Sequence, residues 1–157
     1  MASDCLMDLS DEEVYAKHAD ELLRFAATLV GPSDAEDLLS SAVLGALSSS
    51  SWAHVRSPRA YLYRSVLNEA RQLGRSSRRR LLREARAAVP DAVDSVSVRP
   101  EVLSAVAKLS VEQRAVVFLT YWCDLTVEEV SETLGFSQRT TERRLRSART
   151  LLRSVLL

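Results

Sequence analysis

The chain has 157 residues, enough for one compact domain or two small helical ones. Hydrophobic residues make up 46% and aromatics only 6%, and four Gly and four Pro leave few helix breakers and few β-turn signals, which argues against a strand-rich fold. The formal net charge of zero hides strong segregation: residues 1–55 carry two basic and ten acidic residues, residues 56–90 carry ten Arg and two Glu, and residues 138–157 carry six Arg and one Glu. An acidic first third, a basic middle and a basic tail point to more than one kind of partner. The two cysteines, Cys5 and Cys123, lie far apart in sequence. The opening MASDCLMDLSDEE is acidic and lacks the apolar run of a secretory signal. No stretch approaches the roughly 20 apolar residues that span a bilayer. The expectation is a cytoplasmic protein with reduced thiols and no membrane insertion.

Apolar spacing is helical almost throughout. Ser10 with Glu13 predicts a capping box, opening a first helix whose buried stripe is Val14, Leu22, Leu23, Phe25, Ala26, Leu29 and Val30, and which Gly31-Pro32 ends. Ser33 with Glu36 predicts the start of a second helix running to about Leu47, with Leu38, Leu39, Ala42, Val43 and Ala46 on one face. Four serines at 48–51, followed by Trp52, read as a loop. Ser57-Pro58 predicts a third helix start and runs into the Arg78–Arg80 cluster, with Tyr61, Leu62, Val66, Ala70 and Leu73 as buried positions. Between about Ala87 and Arg99 the pattern weakens and reads as a linker closed by Pro100. Four short helices follow, over about 101–108, 111–122, 127–134 and 138–155, with capping boxes at Ser110/Gln113 and Thr126/Glu129. The fold class is therefore all-α: two small helical domains, 10–83 and 101–157, joined by a linker at 84–100.

The C-terminal segment TVEEVSETLGFSQRTTERRLRSARTLLR carries the most specific pattern. Val127, Val130 and Leu134 place an apolar stripe on a short helix, Gly135 follows where a left-handed residue is needed, and Ser137 can cap the next helix. Leu145, Ala148 and Leu152 then give an inward face, and this is the pattern of a helix-turn-helix whose second helix lies in the major groove. At 100° per residue, Arg139, Thr140, Arg143, Arg146 and Thr150 point away from that inward face, with Arg144, Arg149 and Arg153 flanking it. Arginine reads guanine edges bidentately or holds phosphates, so this is a candidate duplex-reading face.

Residues 109–153, with LSVEQRAVVFLTYWCDLTVEEVSETLGFS and RLRSAR, resemble the promoter −35-reading region 4 of sigma-70 family factors. The recognition helix departs from the family's Gly-Thr-Val-Lys-like opening, having Arg139-Thr140-Thr141-Glu142 instead. DAEDLL at 34–39 resembles the segment of region 2 that grips the clamp helices of RNA polymerase, which implies polymerase-binding roles for Asp34, Glu36, Asp37 and Leu38. RAYLYRSVLNEARQLGRSSRRR at 59–80 resembles the −10-reading, strand-opening helix of the extracytoplasmic-function (ECF, group IV) subfamily. Strand opening needs aromatic platforms and a cationic groove. Trp52 and Tyr63, with Arg56, Arg59, Arg64, Arg71 and Arg75, supply that chemistry, and Asn68 matches a family position that faces promoter bases. Tyr61 lies on the apolar stripe and reads equally well as core, and Arg78–Arg80 read as phosphate contacts. Two further departures, Ser40-Ser41 for a usual Gln-Glu and Gln72 for a usual Asp, fall in this half.

The resemblance implies an ECF sigma factor that binds core RNA polymerase through its clamp and flap regions, recognises −10 and −35 promoter elements, and is masked by an anti-sigma factor. His18 and His54 are isolated, no Cys/His spacing suggests a metal site, and no glycine-rich phosphate loop occurs, so neither a cofactor nor a catalytic site is expected. Two other readings use the same residues. One is a stand-alone helix-turn-helix regulator; the other is a sigma-like polymerase-binding protein unable to melt promoters.

Overall fold

The computed structural model describes residues 10–87 and 100–156, with side chains described except at 74–87, 103 and 156. The described residues hold seven α-helices and no strand: α1 (Asp11–Val30), α2 (Pro32–Ser48), α3 (Pro58–Ala87), α4 (Pro100–Ala107), α5 (Val111–Val117), α6 (Val127–Leu134) and α7 (Gln138–Leu156). A 3₁₀ turn, Trp52–His54, precedes α3, and a wide π-type turn, Phe118–Trp122, continues α5. The expected linker falls mostly on residues 88–99, which lie outside the described residues; α3 continues through Ala87.

The helix starts show why these segments fold where they do. Ser10, Ser110 and Thr126 each accept a hydrogen bond from the backbone three residues on, and Glu13, Gln113 and Glu129 each accept one back from the capping residue's N–H. The Ser57 hydroxyl accepts from Ala60 N–H at 3.3 Å. The expected Ser33 cap is corrected. Helix α2 begins at Pro32, with Gly31 as its N-cap at φ 90°. Proline's fixed φ suits the first helical position, and glycine alone tolerates that backbone angle, so the two form a corner that starts α2 ahead of Ser33.

Helices α1, α2 and α3 pack on one another, and α7 packs on α4, α5 and α6. Leu22, Phe25, Ala26, Leu29 and Val30 of α1 are buried as the stripe predicts, as are Leu38, Leu39, Ala42, Val43 and Ala46 of α2. In α3 the buried set includes Leu62, Val66, Leu67 and Ala70, whereas Leu73, expected to be buried, is 44% exposed. Tyr61 is half-buried against Trp52, with ring centroids 5.8 Å apart.

The two halves do not keep separate cores. One buried cluster runs from Leu22 through Leu67 to Leu119, Val130 and Leu145. Helix α3 packs against α4, α5 and α6, and α1 packs against α5. At the junction Phe25 meets Tyr63 edge-on at 4.7 Å and Phe118 at 5.3 Å, so one α1 ring joins both halves. Aromatic pairs at such distances contribute about 0.5–1.5 kcal/mol beyond their area burial.

Arg114 of α5 is 3% exposed, and its guanidinium donates to the carbonyl of Leu29 in the last turn of α1 and to that of Leu109, each at 2.7 Å. The last turn of α1 holds no basic residue of its own, so a cation from the other half satisfies its end. Arg114→Met keeps the volume and removes both donors. It is expected to lower the free energy of unfolding in urea by about 2–4 kcal/mol, since buried carbonyls lose charge-assisted bonds.

Candidate nucleic-acid interface

Helices α6 and α7 build the helix-turn-helix. Gly135 ends α6 in the left-handed region at φ 74°, its N–H bonding back to the Ser131 carbonyl. Any other residue would strain that turn. Ser137 accepts from Thr140 N–H at 3.1 Å and fixes the first turn of α7. Thr141 is fully buried. Its hydroxyl donates to the Ser137 carbonyl and accepts from the Ser131 hydroxyl at 2.8 Å, pinning α7 to α6. The Arg139-Thr140-Thr141-Glu142 segment thus contains an internal pin as well as outward groups.

Leu145 and Ala148 are buried and Leu152 half-buried, so the inward face is the expected one. Arg139, Arg143, Arg146 and Thr150 are exposed on the opposite side, and none of these arginines forms an ion pair among the described residues. Thr140 is half-buried in the capping turn. Arg144 departs from expectation: it stacks on Phe136, 4.3 Å from the ring centroid, and burial lowers its pKa from the ordinary value. It faces the packed junction rather than open solvent. Arg149 donates to the Tyr121 hydroxyl at 2.7 Å.

The expected −10 set is divided. Arg56 and Asn68 are exposed. Trp52 is half-buried, and its indole N–H donates to Asp11 at 2.7 Å. Arg59 donates to Glu21 at 2.6 Å, and that bond raises its pKa. Tyr63 was expected to offer a stacking surface, but it is fully buried beneath Phe25, its hydroxyl 3.6 Å from the Cys123 sulfur. Burial pushes both the phenol and the thiol upward, so both stay protonated near neutrality. Arg64 spans the junction, donating from Nε to the Thr133 carbonyl at 2.9 Å and from Nη2 to the Glu132 carbonyl. Arg71 donates to Glu112 at 3.0 Å and to Asn68 at 3.2 Å. The side chains of Arg75 and Arg78–Arg80 lie outside the described residues.

Of the expected polymerase contacts, Glu36 and Asp37 are exposed on α2, and Asp34 is half-buried. Leu38 is 4% exposed and belongs to the core, so it fixes the helix on which the acids sit and is corrected from a contact to a support. Residues that the sequence did not point to are Glu112, Arg114 and Phe136. A capping pattern and a helical stripe identify a helix, but nothing local to α5 or to the turn says that another helix lies against it.

An exposed arginine face on the second helix of a helix-turn-helix, packed against a helical unit that carries an acidic face, fits a DNA-binding protein with a second macromolecular partner. Residues 99–152 match Sigma-70, region 4, and residues 14–80 match Sigma-70 region 2. RNA polymerase sigma-E factors of Streptomyces antibioticus and Streptomyces coelicolor are each 32% identical to the chain, over 94% and 95% of it and 85% and 87% of their own lengths. Among solved structures, CnrH in complex with the cytosolic domain of CnrY shares the fold at a TM-score of 0.64 and 23% identity, over 93% of this chain and 86% of that one. The sigma factor RpoE of Bartonella quintana, in complex with the anti-sigma factor NepR, does so at 0.67 and 20%, over 92% and 95%. The chain belongs to the sigma-70 family, as an ECF-type factor. It binds core RNA polymerase and promoter DNA in transcription initiation and is not itself an enzyme.

The exposed arginines of α7 carry a direct test. Arg143→Ala with Arg146→Ala, in the full chain, is expected to weaken binding to a duplex selected from a random library by the wild type. The expected loss is about 1–3 kcal/mol for each base-reading contact removed, measured by fluorescence anisotropy.

Proposed function

We propose that the chain divides initiation between its two halves, with 10–83 acting as the region 2 unit, 84–100 as the connection and 101–157 as the region 4 unit. Helix α7 reads the −35 element as duplex through Arg139, Arg143 and Arg146, with Thr150 beside them; Thr140 sets the turn. The observation that carries this reading is the exposed, unpaired arginine face opposite the buried Leu145 and Ala148. Arg56, Asn68 and the α3 arginines, with Trp52, engage the −10 element and its opened strand. Asp34, Glu36 and Asp37 on α2 meet the polymerase clamp, positioned by Leu38. The segregation of charge follows from these roles: acid faces polymerase and arginine faces DNA.

The protein acts in the cytoplasm, where polymerase and promoters are. No described helix is long and apolar enough to cross a membrane. An anti-sigma factor is the regulatory partner this reading includes; RpoE of Bartonella quintana, similar in fold, is in complex with one. A second reading, a factor that binds polymerase but melts promoters poorly, draws on the burial of Tyr63 and on Ser40-Ser41 and Gln72.

In vitro transcription with core polymerase on host genomic fragments, followed by permanganate footprinting of the start sites, tests both. Specific transcripts with reactive thymines around −10 are expected. Complex formation without reactive thymines favours the second reading, and the absence of any complex with core refutes the assignment. Asp37→Arg is expected to weaken core binding at least tenfold, about 1.4 kcal/mol, while leaving duplex affinity unchanged.

A further inference from the structure

We propose that Glu142 is a specificity-determining residue of α7, its carboxylate accepting a hydrogen bond from the N4 amine of one cytosine in the −35 element. This rests on the assignment of α7 to that element, and it sets an acid to work among the arginines of the reading face.

Residues 138–157 carry six Arg and one Glu, and that acid is Glu142. Helices α1, α5 and α6 each carry acid in the first turn, where the helix dipole favours it, but α7 carries none there. Glu142 sits further in, past the turn in which the dipole acts. It takes no part in the capping turn, which Ser137 and Thr140 make. At about 100° per residue it shares a flank of α7 with Arg139, one turn before it, and Arg146, one turn after it. Glu142 and Arg146 stand in the i, i+4 order that favours an ion pair, yet among the described residues no ion pair holds either of them. The carboxylate is exposed. Neither helix capping nor pairing with a neighbour accounts for it.

An unpaired acid on a face that meets a polyanion is repelled by every phosphate it approaches. What remains for it in the major groove is the edges of the bases, and the N-terminal part of a recognition helix is the part that reaches them. Two bases offer an amine there, cytosine at N4 and adenine at N6, while guanine and thymine offer only acceptors. Adenine sets its N7 acceptor beside the amine, so the second carboxylate oxygen meets a lone pair. Cytosine sets a C–H in that place and is the better partner for a carboxylate. The guanine paired with it presents O6 and N7 to the same groove, which suits Arg139 or Arg146 on the same flank. Glu142 thus weakens duplex binding in general and restores it at one base, and the difference is selectivity.

The test uses the full chain assembled with core polymerase. The wild type selects duplexes from a random library, and affinity is then measured with each base in turn at every position of the upstream element. One position is expected to prefer cytosine about tenfold over guanine and thymine. Glu142→Ala is expected to abolish that preference at that position alone, leaving preferences elsewhere within about twofold. Glu142→Gln, whose amide can pair with N6 and N7 of adenine together, is expected to move the preference there from cytosine to adenine. Both variants place a good helix former at an exposed site, so the fold is kept.

If Glu142→Ala tightens binding to all duplexes alike and keeps the cytosine preference, the acid acts by repulsion only and the proposal falls. It falls equally if the wild type selects no cytosine in the upstream element, or if Glu142→Gln keeps the wild-type ratio of cytosine to adenine. Selection of no upstream element at all, or its full persistence in Arg143→Ala with Arg146→Ala, refutes the assignment of α7 to the −35 element and the proposal with it.

Discussion

Helices α1 and α6 both end on carbonyls that their own sequences leave without a cationic partner, and in each case an arginine from the other half of the chain supplies it. Arg114 of α5 ends α1 at Leu29, and Arg64 of α3 ends α6 at Glu132 and Thr133. The exchange is reciprocal, so parting the halves would take both helix ends and both guanidiniums away from these partners. Arg114 is the costlier of the two to strand because it is almost wholly buried, and a buried charge that loses its acceptors costs several kcal/mol. Arg64 is exposed and can exchange carbonyls for water or phosphate at little cost. The junction therefore has a firm side at α1–α5 and a yielding side at α3–α6.

That asymmetry follows the chemistry of the two sides. On the firm side the contacts are aromatic and aliphatic: Phe25 packs on Phe118, and Leu119 and Val116 are fully buried in the common core. On the yielding side they are ionic or cation–π, namely Arg71 with Glu112, and Arg71 and Arg144 on Phe136. Exposed ion pairs contribute only about 0–1 kcal/mol and are screened by salt. The part of the junction that covers the α3 arginines is thus the part most sensitive to a competing polyanion. Gly135 belongs to the same arrangement. A side chain there would strain the left-handed turn, while its Cβ would meet the Arg64 guanidinium only at ordinary contact distance, so it is the turn that calls for glycine.

Local chemistry made most of the fold legible in the sequence. The capping boxes at Ser10, Ser110 and Thr126 are written in residues three apart, and the inward face of α7 is written in Leu145 and Ala148, so these features follow from short-range rules. The Ser33 cap failed for a reason equally local: Gly31-Pro32 starts the helix first. The junction was not legible, because its partners are far apart in sequence. Tyr63 meets Cys123 sixty residues on, and Arg64 meets Glu132 sixty-eight residues on. Tyr63 shows the difficulty most clearly. Adjacent to the fully buried Leu62, it is itself buried, by residues of both halves at once. A helical period computed for α3 against a single neighbour cannot anticipate that second cover.

The placement of charge also separates the arginines of α7 from those of α3. Arg139, Arg143 and Arg146 of α7 face solvent. On α3, by contrast, Arg71 is held by Glu112 and Arg64 by the end of α6. Phosphate can hold a guanidinium bidentately, whereas a single carboxylate contact holds Arg71. The acidic face of α2, carrying Glu36 and Asp37, is exposed as well and takes no part in that junction. The chain thus combines a hydrophobic contact at α1–α5, a salt-sensitive ionic contact at α3–α6, and an arginine face on α7 that belongs to neither.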